Sequence, residues 1–77
     1  MKKIIANVEY DTEYSELVCK YTEGRVGDPA GFEECLFKTG DGRYFLYVNG
    51  GERSKYPREN IKRISADKAE KFLKEKG

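Results

Sequence analysis

The sequence contains no histidine and no tryptophan, only two cysteines and two prolines, and no long apolar run. Without histidine, the commonest general base and the usual partner of a nucleophilic serine or cysteine are missing. Two cysteines alone cannot complete a four-ligand zinc site. No enzymatic activity, metal site or cofactor is therefore expected. The opening stretch "MKKIIANVEY" carries a basic pair, but its apolar run breaks at Asn7 and Glu9. A signal peptide needs about 7–15 apolar residues and a membrane span about 20. A cytoplasmic protein with no membrane contact is expected, with Cys19 and Cys35 as reduced thiols. Placed on adjacent strands, these two cysteines would also be within reach of a disulfide.

What remains is a chain of 77 residues, enough for a single domain spanning 1–77 with a thin core. Apolar and charged residues each make up 38%, so six Tyr and four Phe must supply much of the buried bulk. The formal net charge is +1, unevenly spread. Residues 1–35 hold four basic and eight acidic side chains, a net −4; residues 36–77 hold eleven basic and six acidic, a net +5. Such asymmetry points either to a polarised surface with a charged partner or to two halves that neutralise each other across one sheet. Mutual neutralisation is the simpler expectation.

Local patterns give an α+β fold, an antiparallel sheet of four to five strands with one C-terminal helix packed on a face. Ile4, Ile5 and Val8 suggest one strand continuing towards Tyr10, and Asp11 and Thr12 suit a turn. "ELVCKYTE" reads as a strand with Leu17, Cys19 and Tyr21 alternating. "GRVGDPAG" is a loop, because its glycines and Asp28-Pro29 sustain neither ladder nor helix. "FEECLFKT" and "RYFLYVN" form a hairpin around Gly40-Asp41-Gly42. A two-residue loop there would place Cys35, Phe37, Tyr44, Leu46 and Val48 on the core face. Leu36, Lys38, Arg43, Phe45 and Tyr47 would take the other. "IKRI" is a short last strand, after which Ser65 caps a helix from Ala66 to about Lys76 with Ala66, Ala69, Phe72 and Leu73 on one face.

Few constellations carry chemistry. Glu9, Asp11, Glu13 and Glu16 cluster in sequence, and Glu33 and Glu34 are adjacent. Lying in or beside turns, these acids read as solvated surface rather than an acid–base pair. "GDGR" joins two strands and so is not a phosphate-binding loop, which must open a helix; the Gly50-Gly51 pair reads as turn chemistry. The stretch "DGRYFLYV" has the flavour of an RNA-recognition strand without its pattern. Basic residues gather beside aromatic ones at Arg43, Phe45, Tyr47, Arg53, Lys55, Tyr56 and Arg58, joined by Lys62 and Arg63. The first seven, Arg43 to Arg58, are the candidate binding residues. Tyrosine, phenylalanine and arginine together suit a protein interface, or, as the alternative, single-stranded nucleic acid held by stacking and phosphate contacts. A monomer or a homodimer fits either.

"YDTE", "ELV", "EECLFKTGDGRYFLYVNGG", "SKY" and "ISADKAEKF" occur in an order that resembles a family of small uncharacterised bacterial proteins found on chromosomes, plasmids and phages. That family's pattern runs Tyr-Asp-Thr, then Leu-Tyr-x-Thr-x-x-Gly-x-Tyr-Phe-Leu-Tyr, Gly-Gly, Ser-Lys-Tyr and a terminal helix. The stretch between Ser54-Lys55-Tyr56 and Ile61 is shorter here than in that pattern. The resemblance implies a mobile-element setting and transfers no functional residue. It leads to the expectation of a non-catalytic binding protein, an accessory or an inhibitor of a host protein such as a nuclease of a defence system.

Overall fold

Ala6 and Asn7 both adopt positive φ, 51° and 65°, and reverse the chain after only four strand residues. This is the backbone signature of a two-residue hairpin turn. In this computed structural model, which describes residues 1–25 and 27–76, the expected first strand is therefore two. They are β1 (Lys2–Ile5) and β2 (Val8–Asp11), paired with Ile5 opposite Val8. Alternation turns Lys3, Ile5, Val8 and Tyr10 to one side and leaves Ile4, 68% exposed, on the other.

Four further strands follow in antiparallel order: β3 (Glu16–Glu23), β4 (Phe32–Lys38), β5 (Tyr44–Gly50) and β6 (Asn60–Ile64). The helix α1 (Ala66–Lys76) closes the chain and packs on one face of this sheet. The fold is α+β, as expected, with the added β1–β2 hairpin lying on the opposite face. No helix among the described residues is long and apolar enough to cross a membrane.

The β4–β5 loop decides which side chains face which layer. It holds three residues, not two: Thr39 N donates to Arg43 O (2.8 Å), Gly42 N donates to Thr39 O (3.1 Å), and Gly42 sits at φ 85°. A three-residue loop ending in a left-handed glycine is the next commonest hairpin closure. The extra residue moves all of β5 by one position, and with period two this turns over every side chain. Phe37 lies opposite Phe45 and Leu36 opposite Leu46. The expected partition is thus corrected: Cys35, Phe37, Phe45 and Tyr47 share one face, while Leu36, Tyr44, Leu46 and Val48 share the other. Asp41 stabilises the tip, its carboxylate accepting from the Thr39 hydroxyl and from Arg43 Nε at 3.1 Å.

Both faces are covered. On the hairpin side, Phe45 stacks on Phe37 (centroids 5.2 Å apart, planes 8°) and meets the edge of Tyr10 at 5.5 Å. Ile61 completes that cluster, with Ile5, Val8 and Tyr47 packed around it. On the helix side, Leu36, Ala69 and Phe72 are buried, with Cys19, Tyr21, Tyr44, Leu46 and Ile64 around them. Lys68 N donates to Ser65 Oγ at 3.2 Å, giving the helix its cap. The buried stripe is Ala69 and Phe72; Leu73, expected inward, is instead exposed because the sheet meets the helix along its Ala69–Phe72–Lys76 line. A bulge between Leu17 and Cys19 turns Cys19 and Tyr21 towards the helix and leaves Leu17 on the hairpin side, half exposed. Cys19 and Cys35 therefore point to opposite faces, and both are free thiols.

Candidate binding surface

The β5–β6 connection "GERSKYPRE" is laid down by close backbone contact. Gly51 N donates to Gly31 O (2.9 Å) and Arg53 N to Pro29 O (2.9 Å), tying this connection to the loop before β4. A Cβ on Gly51 would run into Pro29, and one on Gly50 into Ser54 Oγ and, at 2.8 Å, Phe32 Cβ. The Gly50-Gly51 pair thus serves a close approach of two loops, beyond the turn chemistry its sequence suggests. Ser54 Oγ donates to Gly51 O (2.7 Å) and accepts from Tyr56 N (3.1 Å). The tight turn directs Tyr56 inward and leaves Arg53, Lys55 and Arg58 outside.

Tyr56 ends on Glu34. Its hydroxyl donates to Glu34 Oε2 at 2.6 Å, while Lys76 Nζ, from the last turn of α1, donates to Oε1 at 2.7 Å. Glu34 is only 4% exposed. Its expected place on the solvated surface is corrected: β4 alternates, so of the adjacent acids Glu33 and Glu34 one had to turn towards the helix. Burial pushes the Glu34 carboxyl up. The Lys76 and Tyr56 hydrogen bonds, with the charges of Lys76 and Lys55, outweigh it and hold the group below the usual carboxylate range. The same contact raises Lys76, and burial followed by the Glu34 bond pushes Tyr56 up to about 12. Lys76 Nζ also lies 4.4 Å from the Tyr21 ring centroid, so its charge is sandwiched between a carboxylate and a π face.

The seven candidate residues do not form one patch. Phe45 is fully buried under the hairpin and offers no surface. Tyr47, on the same face, is half-buried; burial first, then donation of its hydroxyl to Glu59 at 2.9 Å, pushes it up to about 12. Arg43 is exposed at the hairpin tip, paired with Asp41. Tyr56 belongs to the other face. Arg53, Lys55 and Arg58 remain together as exposed cations on the β5–β6 connection.

Lys55, Arg58 and Lys62 line an open hollow of about 370 Å³ whose inner wall is the Tyr56 ring, with Val48 and Glu59 beside it. Lys55 and Lys62 hold their ammonium groups 5.4 and 5.3 Å from that ring's centroid. None of the three cations has an ion-pair partner among the described residues. Glu59 is the carboxylate in the lining, and it accepts the Tyr47 hydroxyl. A larger depression of about 470 Å³ lies by the Gly24–Gly31 loop, but its charged lining, Glu23, Asp28 and Glu33 against Arg25, is mixed and converges on nothing.

The wider charge distribution follows the same line. Of the five ion pairs among the described residues, four join partners within one half of the chain, and Lys76–Glu34 alone crosses between them. The strand order puts acidic β3 and basic β6 at opposite edges. Direct neutralisation between the halves is thus confined to Glu34, which meets Lys76 and is reached by the charge of Lys55. No protein-family model, no curated protein and no solved structure matches this chain.

Proposed function

We propose that the protein is a non-catalytic binding module that docks on an acidic surface of a partner protein through its basic β5–β6 edge. The observation that carries this reading is the convergence of Lys55, Arg58 and Lys62 on one hollow, none of them in an ion pair among the described residues, with Glu59 as the single carboxylate against three cations. Unmatched surface charge of one sign steers encounter with a complementary partner and selects it. A cytoplasmic setting, and a role as a mobile-element accessory or inhibitor that blocks a host protein, complete the proposal. Its support there is the motif resemblance described above.

Nucleic acid fits less well. The stacking reading needs exposed rings on the sheet, and both sheet faces are covered. Tyr14, the most exposed ring among the described residues at 84%, lies between Asp11, Glu13 and Glu16, where phosphates are repelled. The decisive experiment has two arms. Titration with short RNA and DNA at low and moderate salt is expected to give no salt-dependent binding, since phosphate contacts must release counterions. Capture of a host protein by the immobilised chain is expected, with loss of that capture in Lys55→Glu/Arg58→Glu. Salt-dependent nucleic-acid binding, or capture indifferent to the charge reversal, would overturn the proposal.

A further inference from the structure

Two ammonium groups held over one ring repel each other, and Arg58 adds a third positive charge to the same hollow. The nearby carboxylates relieve this repulsion only in part: Glu34 is committed to Tyr56 and Lys76 and is reached by the charge of Lys55, and Glu59 is one negative charge against three positive ones, so the hollow keeps a net positive charge. The wall itself is fixed. Tyr56 cannot swing away, because its hydroxyl is anchored on a buried carboxylate and its ring meets the edge of Phe32 at 5.4 Å. The wall is arranged before any ligand arrives, which lowers the ordering cost of binding one.

Resting on the docking reading above, we infer that this hollow is the anchor of the interface and takes the carboxylates of an acidic peptide segment, closely spaced Asp or Glu side chains on the partner. Several observations favour this ligand over a phosphodiester chain. The basic region is local, with Glu52 before it and Glu59 within it in sequence, so a continuous polyanionic backbone would have to pass over like charge. The Tyr56 ring is occupied by ammonium groups and offers no face for a base. Two lysines supply mobile point charges with three donors each, and Arg58 supplies a fork that matches a carboxylate. Carboxylates separated by one or two residues on an extended peptide can meet these groups in turn.

The test is a fluorescence-anisotropy titration of the whole protein with a labelled oligo-glutamate peptide, with an oligothymidylate of equal charge as competitor. Binding of the peptide at low salt is expected, weakened about tenfold or more by Lys55→Gln/Lys62→Gln. Lys71→Gln on the exposed side of α1 is expected to leave it unchanged. Tyr56→Phe, which keeps the ring but frees it from Glu34, is expected to weaken the peptide several-fold while circular dichroism shows an intact fold. Absence of peptide binding, tighter binding of the oligothymidylate, or equal loss in Lys71→Gln overturns the inference. The two proposals fail separately. Partner capture abolished by charge reversal without any peptide binding sinks the carboxylate anchor and leaves docking standing. Peptide binding with capture unaffected sinks docking and leaves the anchor.

Discussion

The two faces of the four-stranded sheet are built on different chemistry. Against the β1–β2 hairpin lies a dry cluster of Phe45, Phe37, Tyr10 and Ile61, held by stacking and area burial. Against α1 lies a smaller apolar cluster, beside which a buried carboxylate is tied to a tyrosine and a lysine. The hairpin side holds its layer by apolar burial, with one polar tie in which Lys3 Nζ donates to Asn60 Oδ1 at 2.8 Å. The helix side adds a latch: Lys76 on the last turn reaches Glu34 on β4, and the same carboxylate fixes Tyr56, the wall of the basic hollow. One face builds the domain; the other joins stability to the proposed binding surface.

The largest expected effect breaks the hairpin side. Phe45→Ala should cost about 3–5 kcal/mol through lost burial and a cavity, comparable with the whole stability of so small a domain. Urea denaturation should find it largely unfolded. Next comes the latch. Lys76→Met leaves Glu34 buried with Tyr56 as its remaining partner, and should cost about 2–4 kcal/mol. Glu34→Gln should cost less, about 1–2 kcal/mol, because Lys76 can turn to water. If the two substitutions cost the same, Glu34 is not the charge that burial penalises.

The latch also predicts the pH profile. Glu34 titrates below the ordinary carboxylate range when folded, so its contribution is fully present above about pH 4.5 and is lost as pH falls through the lowered value. Tyr47 and Tyr56, raised to about 12, contribute below their ordinary value near 10 and lose that contribution as pH rises from 10 towards 12. Thermal melts across pH should show both limbs. In Tyr56→Phe, part of the alkaline limb should disappear. The smallest effect is a gain: Ala6→Asn/Asn7→Gly relieves two side chains held at positive φ and should add about 0.5–1 kcal/mol.

Much of this fold was legible in the sequence. The last four strands, the Gly40-Asp41-Gly42 reversal, the Ser65 cap and the helix follow from local pattern. What was not legible depends on counting across a turn. Two- and three-residue closures of "TGDGR" use the same residues, yet they exchange Phe37 for Leu36 as the partner layer of Tyr44 and Leu46. Ala6-Asn7 lacks the glycine that marks a tight turn, so the first hairpin reads as one strand. At the candidate site, the basic run on the β5–β6 connection was visible, but the loss of Phe45 to the core follows from that same parity. Glu34 had a readable signal: two adjacent acids on a strand face opposite ways, and one of them must meet the layer above. Its partner Lys76 lies forty-two residues away and was not foreseeable from spacing.

The central claim is that one face of the sheet builds the domain and the other carries the proposed binding surface. Phe45→Ala and the triple variant Lys55→Gln/Arg58→Gln/Lys62→Gln test it side by side, each scored by two-dimensional amide NMR spectra with and without the oligo-glutamate peptide. The account predicts a collapsed spectrum for the first. For the second it predicts a native spectrum that no longer responds to peptide, while the unaltered chain shifts at Tyr56, Arg58 and Lys62. A triple variant that still responds like the unaltered chain, or a folded Phe45→Ala, would contradict it.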